Sequence, residues 1–293
     1  MNVLVVGGCG YIGSLLVPFL LADGHHVTVH DNDISKGFLP ENEHCKVLKQ
    51  DLRDYNLFDK PFKGQDAVIY LAAISNNDFC TSHPEIHKAV NLFGFIEAAL
   101  AGKEVERFIY ASSVAAYGSC DYADENKPLE PTTVYGSGKK FCEEWLKTLQ
   151  NYTIVRAATV CGHSPSMRFD TTVNRMFHDA IHKGVIHLNG GEQKRCHVHI
   201  QDVVDFYRFL LNSPIDKVTG QTFNLVAQNQ AIIDTAETVA LITGAKIVFG
   251  PRTDDRSYTV SGEKIKALGY YPRFTISDAV KDMYIRKAYP SYV

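Results

Sequence analysis

The chain has 293 residues, of which 45% are hydrophobic and 22% are charged, and its formal net charge is −3. This composition is that of a soluble globular protein and argues against disorder. The near balance of charge, without a long basic block, argues against a nucleic-acid partner, and no apolar run is long enough to cross a bilayer.

The cysteines and histidines predict neither disulfides nor a metal site. The 7 cysteines are odd in number and contain no C-x-x-C pair, which indicates free thiols in the reducing cytoplasm. The 12 histidines contain no H-E-x-x-H pattern, so we predict no bound metal. The amino terminus lacks a basic segment and its apolar run ends at Gly7, so we expect a buried strand there and not a signal peptide.

The first 31 residues follow the order strand, glycine turn, helix, strand, acid. Residues 3–6 are apolar and mostly β-branched, which predicts a buried strand. Residues 14–22 are apolar and are followed by Gly24, which predicts a helix packed on a sheet. Residues 27–29 predict a second strand, with Asp31 at its carboxyl end. Between the first strand and the helix stand three glycines, namely Gly7, Gly10 and Gly13.

This order of residues has the chemistry of a dinucleotide site. Gly7 allows a tight turn, Gly10 removes the side chain where the backbone approaches a pyrophosphate, and Gly13 lets the helix pack closely. The amino terminus of the helix offers free N–H groups to the phosphates. Asp31 can accept hydrogen bonds from both ribose hydroxyls and would repel a 2′-phosphate, which favours NAD, although Lys36 leaves NADP open.

Further strands alternate with helices, which predicts a parallel, doubly wound α/β sheet. The expected strands are 45–48, 67–73, 106–113, 153–160 and 221–226, and the expected helices are 83–100, from 135 to about 150, and 235–243. Right-handed crossovers place the carboxyl ends of all strands on one side, so residues there should converge on one crevice. Asp51, after the third strand, can reach an adenine amino group or cap the residues that follow.

Tyr135 and Lys139 are four residues apart at the start of a predicted helix, so they lie on one face, one turn apart. An ammonium group beside a phenol favours the phenolate and lowers the tyrosine pKa from about 10. Ser113, at the end of another strand, can complete a proton relay. The Y-x-x-x-K pattern alone is common by chance, but here it follows a glycine turn and a strand that ends in Ser-Ser.

Residues 110–118, Y-A-S-S-V-A-A-Y-G, and residues 135–139, Y-G-S-G-K, resemble the sugar-nucleotide epimerase/dehydratase branch of the extended short-chain dehydrogenase/reductase family. The resemblance covers nearly the whole chain. It implies a Rossmann fold that binds NAD, with a smaller, interwoven carboxyl-terminal lobe that binds a nucleotide-diphosphate sugar. It also implies that the catalytic residues are Ser113, Tyr135 and Lys139.

The resemblance further implies a domain division and an assembly. Residues 1–160, with about 197–226, would form the NAD-binding domain, and about 161–196 with 227–293 the substrate-binding lobe. Homodimers would pair the helices around residues 83–100 and 138–150.

Together, the patterns and the resemblance predict the contacts to the cofactor and the substrate. The predicted cofactor-binding residues are Gly7, Gly10, Tyr11, Ile12, Gly13, Asp31, Asn32, Asp51, Leu52, Leu71, Ala72, Ala73, Asn91, Tyr135 and Lys139. The predicted substrate-binding residues are Ser75, Thr159, Arg168, Asn174, Arg195 and Arg252. Arg168 has the alternative of a salt bridge with Asp170, and Arg252 that of a surface or helix-capping role. His199 and Asp202 are expected to be structural and to cap the following helix.

The predicted reaction is oxidation and re-reduction of the sugar C4 through a bound 4-keto intermediate, which epimerises that carbon. A 4,6-dehydratase is disfavoured because it needs an acid and a base after Ser113, where Val114 and Ala115 stand. A one-way NAD(P)H-dependent 4-ketosugar reductase shares the same motifs and stays open. A non-catalytic NAD-sensing scaffold is the alternative outside the enzymes.

Overall fold

The computed structural model describes residues 1–33, 39–40, 42–54, 59–251 and 256–288, so Lys36 and Arg252 lie outside the described residues. The strands, in chain order, are β1 (Asn2–Val6), β2 (His26–Asp31), β3 (Cys45–Lys49), β4 (Ala67–Tyr70), β5 (Arg107–Ser113), β6 (Cys120–Ala123), β7 (Tyr152–Ala157), β8 (Thr159–Cys161), β9 (Val185–Asn189), β10 (Lys194–His199), β11 (Gln221–Leu225), β12 (Gln228–Ala231), β13 (Lys246–Gly250) and β14 (Tyr258–Val260).

The α-helices, in chain order, are α1 (Gly13–Ala22), α2 (Asp59–Phe62), α3 (Asn77–Ser82), α4 (Pro84–His87), α5 (Gly94–Ala101), α6 (Val134–Leu146), α7 (Thr172–Lys183), α8 (Ile200–Asn212), α9 (Ile215–Val218), α10 (Ile232–Thr243), α11 (Glu263–Ala267) and α12 (Ile276–Ala288). A π-helix (Lys88–Phe93) joins α4 to α5, and a 3₁₀-helix (Val114–Tyr117) follows β5. Within the described ranges, no helix is both long and apolar enough to cross a bilayer.

The main sheet is parallel and doubly wound, as predicted. Among the described residues it has seven strands in the order β11-β7-β5-β4-β1-β2-β3. The chain moves outward from β1 to β3, returns to the centre, and then moves in the opposite direction from β4 to β11. Such a reversal between β1 and β4 opens a crevice at the carboxyl ends of the strands.

Helices cover both faces of the main sheet, and this explains the unbroken apolar run in β1. Val3 and Val5 point into a core shared with α1 and α8, whereas Leu4 and Val6 point into a second core shared with α5 and α6. Successive side chains of a strand alternate between faces, so a strand buried on both sides must be apolar at every position.

A third hydrophobic core lies outside the main sheet. Side chains of α7, β9, α10 and α12 form it, and β8, β10 and β12 form a small sheet of their own. The predicted strand over 153–160 is therefore two strands. The chain leaves the main sheet after Ala157, and β8 pairs with β10 instead.

The predicted continuous helix over 83–100 is wrong, because a π-helix interrupts it. The wider π turn contains Asn91, whose side chain makes two hydrogen bonds to the backbone of Ile74 at 2.8 Å. The α-helical pattern of the sequence does not reveal this local change of winding. Short π-helical segments of this kind are frequent at functional sites.

Candidate active site

A crevice of about 710 Å³ lies at the carboxyl ends of β1, β2, β4, β5 and β7. The predicted site residues that line it are Gly7, Gly10, Tyr11, Ile12, Gly13, Asp31, Asn32, Asp51, Leu52, Leu71, Ala72, Ala73, Ser75, Ser113, Tyr135, Lys139, Thr159 and Arg168. They come from eight separated stretches of sequence, which the parallel sheet gathers at one edge because all its strands end on the same side.

The glycine turn is closely packed on its protein side and open on its crevice side. Gly7 has a φ of +85°, and a Cβ there would lie 2.7 Å from the backbone of Ala72. A Cβ on Gly13 would lie 2.5 Å from the Cα of Gly8. A Cβ on Gly10 would meet only the Gly7 carbonyl oxygen, at 3.4 Å, so this position leaves room in the crevice for a pyrophosphate. The turn therefore fits a dinucleotide.

The carboxylate of Asp31 is held by two backbone N–H groups at the rim of the crevice. Cys9 donates to one oxygen at 2.9 Å and Asp33 to the other at 3.0 Å. Each oxygen keeps lone pairs for a ribose hydroxyl. The contact from Cys9 was missed by the sequence analysis, because a backbone N–H group leaves no signal in the residue type.

Asp51 forms a bidentate ion pair with Arg53, with distances of 2.9 and 2.8 Å. The hydrogen bonds from Arg53 hold the pKa of this carboxyl well below its usual range, and Asn32 donates to it from 3.4 Å. Asp51 also accepts a hydrogen bond from the backbone N–H of Arg53 at 2.9 Å. This is the kind of bond expected from the alternative in which Asp51 caps the residues that follow it. Arg53 itself lines the crevice and was not predicted.

Ser113, Tyr135 and Lys139 line one part of the crevice from two different elements. Ser113 ends β5, and its Oγ accepts a hydrogen bond from Ala115 at 3.2 Å. The Nζ of Lys139 lies 5.6 Å from the centre of the Tyr135 ring and donates to the carbonyl of Ala111 at 2.6 Å. Lys139 is only 5% exposed, so its ammonium is desolvated and directed by these neighbours.

The structure places Asn91 behind the crevice and not among its lining residues. It is 8% exposed, and besides Ile74 it contacts the His87 ring nitrogen Nδ1 at 2.9 Å. The side chain is occupied in fixing the loop that follows β4, and the predicted direct contact with the cofactor stays a prediction. Asn91 acts on the crevice through the backbone of Ile74.

Asn174 is also fully buried and outside the lining. Its amide accepts from Gly162 at 3.1 Å and donates to the hydroxyl of Tyr11 at 3.0 Å and the carbonyl of Arg168 at 2.9 Å. These bonds use the donors and acceptor that a phosphate contact would need. Burial raises the pKa of Tyr11, which therefore stays a neutral phenol and donates to the Gly162 carbonyl at 2.7 Å.

The two predicted arginines within the described residues differ in position. Arg195 is 6% exposed, is absent from the lining, and donates to the carbonyls of Lys194 and Arg256. Its predicted contact with the nucleotide diphosphate therefore stays a prediction. Arg168 does line the crevice, and it also forms the alternative salt bridge to Asp170, at 2.6 and 3.0 Å.

The expected capping role of His199 is confirmed, whereas Asp202 has a structural role other than the predicted cap. His199 caps α8 by accepting from the backbone N–H of Gln201 at 3.0 Å. Asp202 instead holds the distant backbone N–H groups of Arg273 and Phe274, at 2.9 and 3.0 Å. Among the described residues, no cluster of three side chains has the composition of a metal site.

A doubly wound sheet with a glycine turn, an acidic β2 terminus, and a half-buried Tyr135 near a buried Lys139 in one crevice defines a dinucleotide-dependent enzyme. Comparison with known proteins narrows this class. The sequence profile of the NAD dependent epimerase/dehydratase family matches residues 3–225. The chain belongs to this family, so it is an NAD-dependent isomerase or oxidoreductase and its cofactor is NAD.

Individual relatives match the chain over nearly its whole length. It is 28% identical to a putative UDP-glucose 4-epimerase of Methanocaldococcus jannaschii, covering 95% of this chain and 96% of that protein. The UDP-glucose 4-epimerase of Thermotoga maritima, solved with UDP-glucose, is 25% identical with a TM-score of 0.86, covering 99% of this chain and 100% of the other. That of Thermus thermophilus, solved with NAD, is 25% identical with a TM-score of 0.83, covering 97% and 99%.

Replacing Asp31 by serine is expected to raise the affinity for NADP relative to NAD by about tenfold or more, which is about 1.4 kcal/mol. The serine still accepts the bond from Cys9, but it removes the charge that repels a 2′-phosphate. Both affinities can be measured by fluorescence titration. Asp33→Ser removes the same charge two residues away and is the control. An equal shift in both variants would contradict a specific role for Asp31.

Proposed function

We propose that the protein is an NAD-dependent 4-epimerase of a UDP-sugar. The observation that carries the proposal is the sequence of side chains at the catalytic end of the crevice: Ser113 and the pair Tyr135–Lys139 converge there, and Val114 and Ala115 follow the serine. Ser113, Tyr135 and Lys139 can move a proton on and off a sugar hydroxyl. Val114 and Ala115 have no acidic or basic group that could eliminate water.

In this proposal the residues of the chain handle the proton and the orientation of the sugar. Tyr135, as phenolate, removes the proton from the C4 hydroxyl, and Ser113 donates a hydrogen bond to the same oxygen. Lys139 stabilises the phenolate and holds the nicotinamide ribose. NAD, when bound, supplies the hydride acceptor and donor. The 4-keto sugar then turns and receives the hydride on its other face, and Tyr135 returns the proton.

The substrate contacts follow from the positions of the remaining crevice residues. Arg168, with its guanidinium oriented by Asp170, would bind an anionic group of the nucleotide sugar, and Ser75 and Thr159 would bind hydroxyls. We propose the division already inferred from the sequence, with residues 1–160 and about 197–226 holding NAD. Residues 161–196 and 227–293 would close over the sugar.

The reductase alternative differs from the epimerase only in the fate of the cofactor. An experiment on the purified protein separates them: absorbance and mass analysis for bound NAD, then a panel of UDP-hexoses with no added cofactor. We expect conversion of one sugar to its C4 epimer without net change at 340 nm. Turnover that consumes added NADH or NADPH stoichiometrically would establish the reductase. A protein that binds NAD and converts no sugar would support the scaffold.

A homodimer is part of the proposal, and an exposed apolar surface supports it. Phe93, Leu100 and Phe141 are 54%, 44% and 41% exposed on the π-helix, α5 and α6, which pack side by side. Large side chains grouped in this way are typical of protein–protein contacts. We also propose a cytoplasmic location, because none of the 7 cysteines forms a disulfide.

Replacing Phe93 by glutamate is expected to convert the dimer to a monomer, because a charge would be buried at the centre of the contact. Light scattering after size-exclusion chromatography measures the mass. The control is Leu241→Glu, which places the same charge at an 88% exposed position on α10. A monomeric wild-type protein, or a dimer that survives the change at Phe93, would overturn the proposed assembly.

A further inference from the structure

A buried polar network lies directly behind Ser113, and the proposed reaction uses none of its members. We call it the Glu143 network. Its members are Ser112, Tyr117, Glu143, Arg156 and Asn224. Glu143 and Arg156 are 0% and 2% exposed, and Arg156 donates to both carboxylate oxygens of Glu143, at distances from 2.7 to 3.1 Å. The Oγ of Ser112 donates to Glu143 at 2.5 Å.

The network continues away from this ion pair. Arg156 also donates to the hydroxyl of Tyr117 at 2.7 Å, and Tyr117 donates to the amide oxygen of Asn224 at 2.9 Å. Burial by itself would lower the pKa of Arg156, but the hydrogen bonds and charge of Glu143 raise it above its usual value, so Arg156 stays protonated. The amide nitrogen of Asn224 has no partner among the described residues, but Glu143 is hydrogen-bonded to both Ser112 and Arg156. Directed bonds of this kind restrict the geometry of the elements that carry them.

The network joins the two elements that carry the catalytic side chains. Ser112 precedes Ser113 in β5 and faces the opposite side of the sheet. Glu143 lies on α6 eight residues after Tyr135 and four after Lys139, so all three share one helix face. Arg156, on β7, is the strand partner of Ser112. Besides the bond from Lys139 to the Ala111 carbonyl, Ser112–Glu143 is a second tie between β5 and α6.

Stability alone does not explain an ion pair at this depth. The desolvation cost of two buried charges largely cancels their attraction, and apolar residues of similar volume often give equal or greater stability. What an apolar contact cannot supply is a directed bond of fixed length between a strand and a helix. Proton transfer depends steeply on such lengths, because misplacement of about 1 Å can cost about 10²-fold in rate.

We propose that Ser112 and Glu143 are positioning residues that set the separation between the Ser113 hydroxyl and the Tyr135 phenol. The inference rests on the proposed function, because the network would fix the distance between hydroxyl and phenol on which that reaction depends. Glu143 does not line the crevice, and Ser112, although it lines the crevice, directs its hydroxyl to Glu143. Each acts through a catalytic neighbour on its own element.

The test compares Ser112→Ala with Thr153→Ala. Thr153 is a matched control because it is also buried on the main sheet, and its hydroxyl makes one bond, to the Val218 carbonyl at 2.9 Å, away from the site. Both variants lose one buried hydroxyl hydrogen bond, so their melting temperatures should fall similarly. We expect only Ser112→Ala to lose about tenfold in kcat, with KM and NAD content unchanged.

Crystal structures of the two variants test the inference without relying on turnover. The distance from Ser113 Oγ to Tyr135 Oη should increase in Ser112→Ala and stay at its wild-type value in Thr153→Ala. An unchanged distance in Ser112→Ala overturns the inference, as does a kcat within twofold of the wild type or an equal loss in both variants. Failure of the proposed function is a separate result, because it would appear as wild-type protein that converts no UDP-sugar.

Discussion

Replacing Tyr135 by phenylalanine is expected to lower kcat by about 10³-fold, within the range that general acid–base catalysis contributes. The change removes a single oxygen and keeps the ring that lies 5.6 Å from the Lys139 ammonium. The sugar hydroxyl then has no base, while the crevice keeps its shape. Because the lost interaction exists only in the reaction, KM and NAD content should change little.

The measurement is a coupled assay of the epimer ratio, with NAD quantified in the same protein by mass analysis. Tyr284→Phe is the control, since it removes the same atom from a 43% exposed position on α12, outside the crevice. The control should retain wild-type kcat. If Tyr135→Phe kept more than a tenth of the wild-type kcat, another group would be the base and the assignment to Tyr135 would be wrong.

Replacing Gly13 by alanine is expected to abolish NAD binding and to destabilise the fold by about 2–3 kcal/mol, as overpacking of a rigid site does. The new Cβ would lie 2.5 Å from the Cα of Gly8 and 2.6 Å from the carbonyl of Gly7. Both contacts are to backbone, which cannot rotate away. Relief of the clash would move α1 off the sheet and displace the amino terminus that faces the pyrophosphate.

Gly10→Ala gives the matched comparison in the same turn. Its Cβ has one neighbour, at 3.4 Å, so the unfolding free energy should stay near that of the wild type while the methyl group projects towards the pyrophosphate. Thermal unfolding and NAD titration measure the two effects separately. A Gly13→Ala protein with wild-type melting temperature and NAD affinity would mean that the turn is looser than its contact distances indicate.

The features that could be predicted from sequence are those whose local residue pattern directly reflects their position in the folded protein. The run at residues 3–6 is apolar because both faces of β1 are covered, and the same residues predicted a buried strand. Asp31 and Ser113 stand at the ends of predicted strands, and a parallel sheet must bring such ends together. These predictions needed only periodicity, glycine spacing and the handedness of crossovers.

The site predictions that the crevice lining does not include concern side chains whose direction depends on distant partners. Asn91 and Asn174 are polar residues near predicted site elements, which suggested ligand contacts. Both are saturated by backbone groups of other segments, Ile74 for the first and Gly162 for the second. Arg195 turns to the carbonyl of Arg256, 61 residues away. Residue type gives the capacity for hydrogen bonds and not the identity of the partner.

The sequence by itself determined the parallel sheet, the dinucleotide turn and the Ser-Tyr-Lys set, because each is written in a local pattern that permits few alternatives. Only the tertiary structure decided how these elements are held in position relative to one another. The π turn that directs Asn91 to Ile74 and the bond from Ser112 to Glu143 join residues 17 and 31 positions apart. Such contacts follow from how elements pack, and packing depends on the whole chain at once.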